Sequence, residues 1–396
     1  MATLDYRTAG ESHGQALVVL VEGMPAGLMI RQESLDAALR RRQGGYGRGG
    51  RMGIEKDRAI ILSGIRNGRT IGSPIAIQVP NKDHRIDEAT EVNRPRPGHA
   101  DFAGAMKWLT TDCRDVLERA SARETAARVA AGAVAAMLLA EFGIDVVGYV
   151  VRIGHVAATY AEDATAAHIR QACHGNDVSC PDPAAAKKMI AAIRQTKQDK
   201  DTVGGVVEVR AFGLPPGLGS CSRWQDKLDG RLMGALGSVQ AFKGVEIGLG
   251  FESAGMPGSA VHDEIDYDAG QRQAHNLGFV RRSNNAGGVE GGMTNGMPLV
   301  IRCAMKPIST LMRGLDSVNL KTLRAERSDY ERSDICAVPA ASVVAEYVVA
   351  FELARAFLEK FGGDSMAEVR AAYDYYFQSA RCLSESQGCT EDGEPA

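Results

Sequence analysis

Short apolar runs and longer amphipathic stretches follow one another irregularly along the chain. Runs at residues 16–21, 60–65, 75–79, 146–153, 203–212, 245–251 and 299–303, bounded by Gly and Pro turns, predict strands. Stretches at 33–42, 101–117, 121–142, 224–242, 342–361 and 366–382 predict helices. Strand and helix do not alternate strictly, so the pattern predicts an α+β layered fold rather than a doubly wound parallel sheet.

The helix over 121–142 is the best defined. Ser121-Ala122-Arg123-Glu124 has the spacing of a capping box, and Gly143 follows Phe142 as a C-cap. Eight alanines between Ala126 and Ala140 make it thin, which suits a central helix packed closely on its neighbours. No linker or repeat interrupts the pattern, so residues 1–380 are expected to form a single domain. Residues 381–396 differ: beyond Arg381 the segment carries Glu385, Glu391, Asp392 and Glu394 and no base, which predicts an acidic, disordered tail.

Composition narrows the function. A net charge of −3 over 396 residues argues against nucleic acid or a membrane surface as partner, and 44% hydrophobic residues exclude wholesale disorder. Glycine is in excess, 45 residues or about 11% against an average near 7%. That excess implies tight turns or backbone lying close to a ligand. The N-terminus has no secretory pattern, and the longest uncharged apolar run, 129–140, is too short to span a bilayer. A soluble, cytoplasmic protein is expected. The eight cysteines show no paired spacing and read as reduced thiols; Cys173-His174 with Cys180 lacks the further ligands of a metal site.

Several segments carry candidate chemistry. Gly10-Glu11-Ser12-His13-Gly14 fits the G-x-S-x-G elbow of serine hydrolases, but an elbow needs a preceding strand and only nine residues come before Gly10. What remains is a polar loop presenting Glu, Ser and His beside a strand. Residues 37–54 hold five arginines (Arg40, Arg41, Arg42, Arg48 and Arg51), no acid, and glycines throughout 44–50. Gly45, Gly47 and Gly50 spell GxGxxG but follow a helix, so the dinucleotide fingerprint fails in its context. An RNA-binding Arg-Gly segment is the alternative to a local anion site. Arginine favours bidentate contact with carboxylate or phosphate, so the substrate expected is a compact polyanion. Arg94-Pro95-Arg96-Pro97-Gly98-His99-Ala100-Asp101 is a rigid turn with a second His. Met305-Lys306-Pro307-Ile308-Ser309-Thr310 offers a Lys and two hydroxyls, and in Glu331-Arg332-Ser333-Asp334 the Arg would hold the Asp ionised, as a base requires.

Together these segments, with residues 118–134 around Ser121-Ala122-Arg123-Glu124-Thr125, Glu22-Gly23-Met24-Pro25, Asn284-Asn285-Ala286-Gly287-Gly288 and the stretch from Arg332 to Glu346, resemble the chorismate synthase family from about residue 6 to 361. The resemblance implies a β-α-β sandwich with central helices between antiparallel sheets, usually assembled as a homotetramer. It implies a lyase of the shikimate pathway, which removes phosphate and the C6 hydrogen from 5-enolpyruvylshikimate-3-phosphate by anti-1,4-elimination to give chorismate. Reduced FMN (FMNH2) is implied as a transient electron donor without net redox change. NADPH enters only as a source of reducing equivalents, and the lack of a dinucleotide fingerprint points to an external reductant.

Carried over by motif, His13 would donate a proton at the leaving phosphate, and His99 would protonate reduced flavin near its N1 edge. Asp334 would assist removal of the C6 hydrogen, with flavin N5 as its immediate acceptor. Arg42, Arg48, Arg51, Arg96 and Arg123 would clamp substrate anions. Flavin contacts would fall on Ser121, Ala122, Arg123, Gln240, Ala241, Gly291, Lys306, Pro307, Ile308, Ser309, Thr310 and Arg332. Two positions depart from the family pattern: Gln240 stands where Asn or Pro is usual, and Ile335 where Pro is frequent.

Overall fold

The computed structural model describes residues 3–49, 55–161, 163–331 and 333–383. Arg51, Arg332 and 384–396 of the acidic segment lie outside the described residues, while the helix Met366–Cys382 runs into the start of that segment.

Strict alternation of buried and half-buried positions builds the first sheet. In Ala16–Glu22 and Ile75–Pro80 the paired residues Leu17 and Val79, Val19 and Ile77, and Val21 and Ile75 all fall on one face, and all six are buried. The spatial order is Asp5–Ala9, Ala16–Glu22, Ile75–Pro80, Ile60–Ile61, antiparallel throughout. A second antiparallel sheet has the order Phe242–Ile247, Leu299–Met305, Gly205–Phe212, Asp145–Ile153, Val156–Ala157. The fold is α+β, as the irregular spacing predicts.

Two helices connect the sheets. Thr125–Ala140 packs on the first, Val338–Lys360 packs on the second, and the two helices pack on each other. Small residues permit this approach: a Cβ on Gly132 would lie 2.2 Å from the Tyr347 carbonyl oxygen, and one on Gly148 2.2 Å from that of Ser342. One buried apolar cluster runs from Leu4 to Val369 through both sheets and both helices.

Several expected elements are differently divided. The helix expected over 101–117 breaks at Leu109, whose φ is +57°, into Asp101–Trp108 and Arg114–Ala120. Only Leu228–Gly237 of 224–242 is α-helical, and the strand expected at 245–251 occupies Phe242–Ile247. Ser121 forms no capping box. Its hydroxyl accepts from the Arg123 N–H in a short 3-10 turn, while Glu124 accepts from Thr8, Arg128 and Gln240. A true capping box occurs instead at Ser365 and Glu368. A strand, Asp5–Ala9, does precede Gly10, against the sequence reading. The elbow fails for another reason: Gly10–Gly14 joins two antiparallel strands and leads into no helix.

Among the described residues no helix is long and apolar enough to cross a membrane, no three His, Cys, Asp or Glu side chains form a metal-binding group, and the seven described cysteines are free thiols.

Candidate active site

The loops at the ends of the two central helices enclose a cavity of about 640 Å³. It collects His13, His99 and Asp334; Arg42, Arg48, Arg96 and Arg123; and Ser121, Ala122, Gln240, Ala241, Lys306, Ile308, Ser309 and Thr310. Two expected contacts are not brought there. Gly291 sits in the turn between Val289–Glu290 and Met293–Thr294, and Pro307 does not line the wall. Sequence reading also missed an apolar wall of Leu117, Val239, Met305, Ala337, Ala340, Ala341 and Val344, together with Asp83 and Arg85.

The arginines are held by acids, one of which, Asp57, no local motif announces. Asp57, with a fully buried side chain, accepts from Arg123 Nη1 at 2.7 Å and Arg42 Nη1 at 3.5 Å. Arg42 also donates from Nε to Thr125 Oγ1 and from Nη2 to the Ala122 carbonyl. Burial, then the neighbouring Arg123, pushes the Arg42 pKa down. All three of its guanidinium nitrogens have protein partners, so Arg42 braces the wall. Arg96 is similarly committed, to Asp101 through Nε and Nη2 and to Thr310 through Nη1. Arg123 and Arg48 differ: Arg123 Nη2 and Arg48 Nε are buried without a hydrogen-bond partner among the described residues. Buried cationic donors of this kind are costly unless an anion meets them.

Both histidines hang from buried carboxylates. His13 Nδ1 lies 2.8 Å from Glu118 Oε1, and the His13 backbone N–H donates to Glu118 Oε2 at 2.7 Å. His99 Nδ1 bonds Asp101 Oδ1. Arg96 Nη2 is also 3.0 Å from His99 Nδ1, but it too can only donate. An ionised carboxylate only accepts, so Nδ1 carries the proton and the Arg96 donor is satisfied by Asp101. Asp334 accepts from Arg48 Nη1 at 2.6 Å and from the Gly49 N–H at 2.7 Å, and Arg332, the expected partner, lies outside the described residues.

The Arg-Gly block lies flat on the Asp334 segment. A Cβ on Gly49 would be 2.8 Å from the Ser333 carbonyl oxygen, and Gly47, at φ +93°, accepts from the Ile335 N–H at 2.9 Å and the Cys336 N–H at 3.3 Å. Ile335, unlike a proline, supplies that first donor.

Burial acts to raise the Asp101 pKa, but hydrogen bonds from His99 and Arg96 outweigh it and hold the carboxyl well below its usual range. A carboxyl depressed in the folded state contributes stability that is full above its unfolded pKa, near 4, and is lost as pH falls below it. Asp101→Asn should therefore lower stability at pH 7 and flatten its decline between about pH 5 and 2. Denaturant titrations at each pH check this; equal slopes in the two proteins would disprove it.

A family model described as chorismate synthase matches residues 4–358. The chorismate synthase of Desulforudis audaxviator (strain MP104C) is 54% identical over 393 residues, covering 96% of this chain and 98% of the relative. That of Geobacter metallireducens (strain ATCC 53774 / DSM 7210 / GS-15) is 53% identical over 393 residues, covering 96% and 99%. A solved structure described as "Crystal Structure of Chorismate Synthase" superimposes with a TM-score of 0.79 at 41% identity, covering 96% of this chain and 99% of that one. The chain therefore belongs to the chorismate synthase family.

Proposed function

We propose that this cavity carries out the family's reaction, the anti-1,4-elimination of phosphate and the C6 hydrogen from 5-enolpyruvylshikimate-3-phosphate to give chorismate. The observation that carries the reading is the meeting of Arg48 and Arg123, each with one buried guanidinium nitrogen that has no hydrogen-bond partner among the described residues, with His13, His99 and Asp334 in one cavity. The substrate has two carboxylates and a phosphate, and charge-assisted bonds to such groups contribute roughly 1.5–3 kcal/mol each. His13 hands a proton to the departing phosphate through Nε2, its Nδ1 being engaged by Glu118. Asp334, fixed by Arg48 and the Gly49 N–H, is the carboxylate available for the C6 hydrogen. His99 holds Nδ1–H on Asp101 and exchanges protons at Nε2.

The residues present fit a flavin. The apolar wall suits a planar ring system, Gln240 Oε1 is a buried acceptor without a partner among the described residues, and Lys306 and Ser309 are donors on the rim. Ser121, Ala122, Arg123, Gln240, Ala241 and the 306–310 segment would hold it, with Arg332 as a further contact. Reduced FMN held there would supply transient electron density for the elimination, with no net redox change. NADPH is inferred only as the ultimate reductant.

From the family resemblance we also infer a homotetramer in the cytoplasm, a β-α-β sandwich, and one domain through about residue 380. Under anaerobic conditions with pre-reduced FMN, the protein should release phosphate and form chorismate in equal amounts. Phosphate release at the same rate with oxidised FMN would defeat the mechanism. NADPH consumption with FMN and no second protein would show that the chain reduces its own flavin.

A further inference from the structure

The His13 loop is anchored twice, and the two anchors do different things. Asn81 Nδ2 donates to the carbonyls of Glu11, Ser12 and Gly14, and Arg119 donates to those of Gly10 and Thr8. These bonds fix the backbone without touching the imidazole. Glu118, from the helix Arg114–Ala120, takes the ring itself together with the His13 backbone N–H, and its own carbonyl accepts the Ser12 N–H at 2.9 Å. Its side chain is 2% exposed.

Resting on the reading of His13 as the proton donor, we infer that Glu118 is the positioning residue of that histidine. Its carboxylate keeps the proton on Nδ1 and stabilises the imidazolium. Nε2 is then the atom that gives its proton to a phosphate oxygen as the C–O bond breaks, which leaves the ring neutral with Nδ1–H still on Glu118. A proton from solvent restores the cation.

The charge balance around the pair supports this. Glu118 is only partly neutralised by Arg114, at 3.6 Å, because Arg114 is shared with Glu331 at 2.8 Å. Other charged groups near the loop include Glu11 within it, Lys82, Asp83 and Arg85 on the facing segment, where Glu55 accepts from the Lys82 and Asp83 N–H groups and the Arg85 N–H donates to the His13 carbonyl, and Arg119. Burial acts to raise the Glu118 pKa, but bonds from the His13 ring and backbone outweigh it, so the group is an anion at neutral pH.

Glu118→Gln tests the assignment. The amide oxygen can keep the backbone N–H, but its NH2 must donate to Nδ1, which moves the ring proton to Nε2 and disfavours the imidazolium. With substrate and pre-reduced FMN, kcat should fall about 10–100-fold, no more than loss of the general acid itself would cause, with KM within about twofold. The kcat/KM profile should depart from wild type on its alkaline side, because the carboxylate that faces the ring is gone. In a His13→Ala background the same change should have less than a twofold effect on kcat, since glutamine can keep the backbone N–H and the ring through which the carboxylate acts on the reaction is gone. A wild-type profile in Glu118→Gln, or an undiminished loss in the His13→Ala background, would overturn the inference. If the wild-type protein makes no chorismate, the functional reading fails instead. The inference is then read from His13 15N shifts at a pH where the ring is neutral: the Nδ1–H tautomer in wild type and the Nε2–H tautomer in Glu118→Gln sustain the placement, and the Nε2–H tautomer in wild type removes it.

Discussion

Alanine at Asp57 should cost the protein about 3–5 kcal/mol, the scale for removing one member of a buried ion pair. The Asp57 side chain is fully buried and stands between Arg42, 4% exposed, and Arg123, 2% exposed. Without it two guanidinium groups share a low-dielectric site in which, among the described residues, Glu55 at 3.8 Å from Arg123 and the more distant Asp334 oppose them. Burial, then the neighbouring Arg123, already pushes the Arg42 pKa down, and Asp57 works against that. The loss is thus an unpaired-charge penalty and not merely a missing contact. Asp57→Asn keeps a hydrogen-bond acceptor and should lose stability too, but less than alanine. Equilibrium denaturant unfolding at pH 7 measures both; a loss below about 1 kcal/mol for alanine would mean that Glu55 and water suffice.

How far the sequence is legible follows from where each signal lies. The strands near 16–21 and 75–79 announce themselves because one face is buried and the other is not, so alternation survives in the residue types. Asp5–Ala9 is an edge strand paired only with Ala16–Glu22, and its sequence, DYRTA, has no apolar alternation to read. The break at Leu109 is equally silent, because neither Gly nor Pro marks it. In the site, the cations stand out since five arginines fall within 18 residues. Two of the acids that brace the site do not: Asp57, the partner of Arg42, is a single acid in ordinary surroundings, and Glu118 lies 105 positions from the histidine it holds. Only tertiary structure brings such pairs together. The glycine excess, an ambiguous number in composition, gains a meaning at Gly47 and Gly49, where the Arg48 loop presses against the Asp334 segment, and at Gly132, where two helices nearly touch.

Alanine at His99 should lower turnover by about two orders of magnitude, the usual scale of help from a general acid or base, and alanine at His13 should do the same. The two losses ought to leave the fold intact, because neither removal strands its carboxylate. Asp101 keeps two bonds from Arg96 and one from the Arg96 backbone N–H, and Glu118 keeps the backbone N–H at position 13 and the neighbouring Arg114. Each variant should therefore unfold within about 1 kcal/mol of wild type, as expected where no buried group loses its last partner. Turnover measured with pre-reduced FMN separates the chemistry from flavin reduction. Added imidazole should restore part of the rate, since each deletion vacates a place on the cavity wall beside a carboxylate that accepts a ring N–H. Wild-type turnover in either variant would remove that histidine from the mechanism. A large drop in stability with no imidazole rescue would make it a bracing group, leaving proton transfer to Asp334 and solvent.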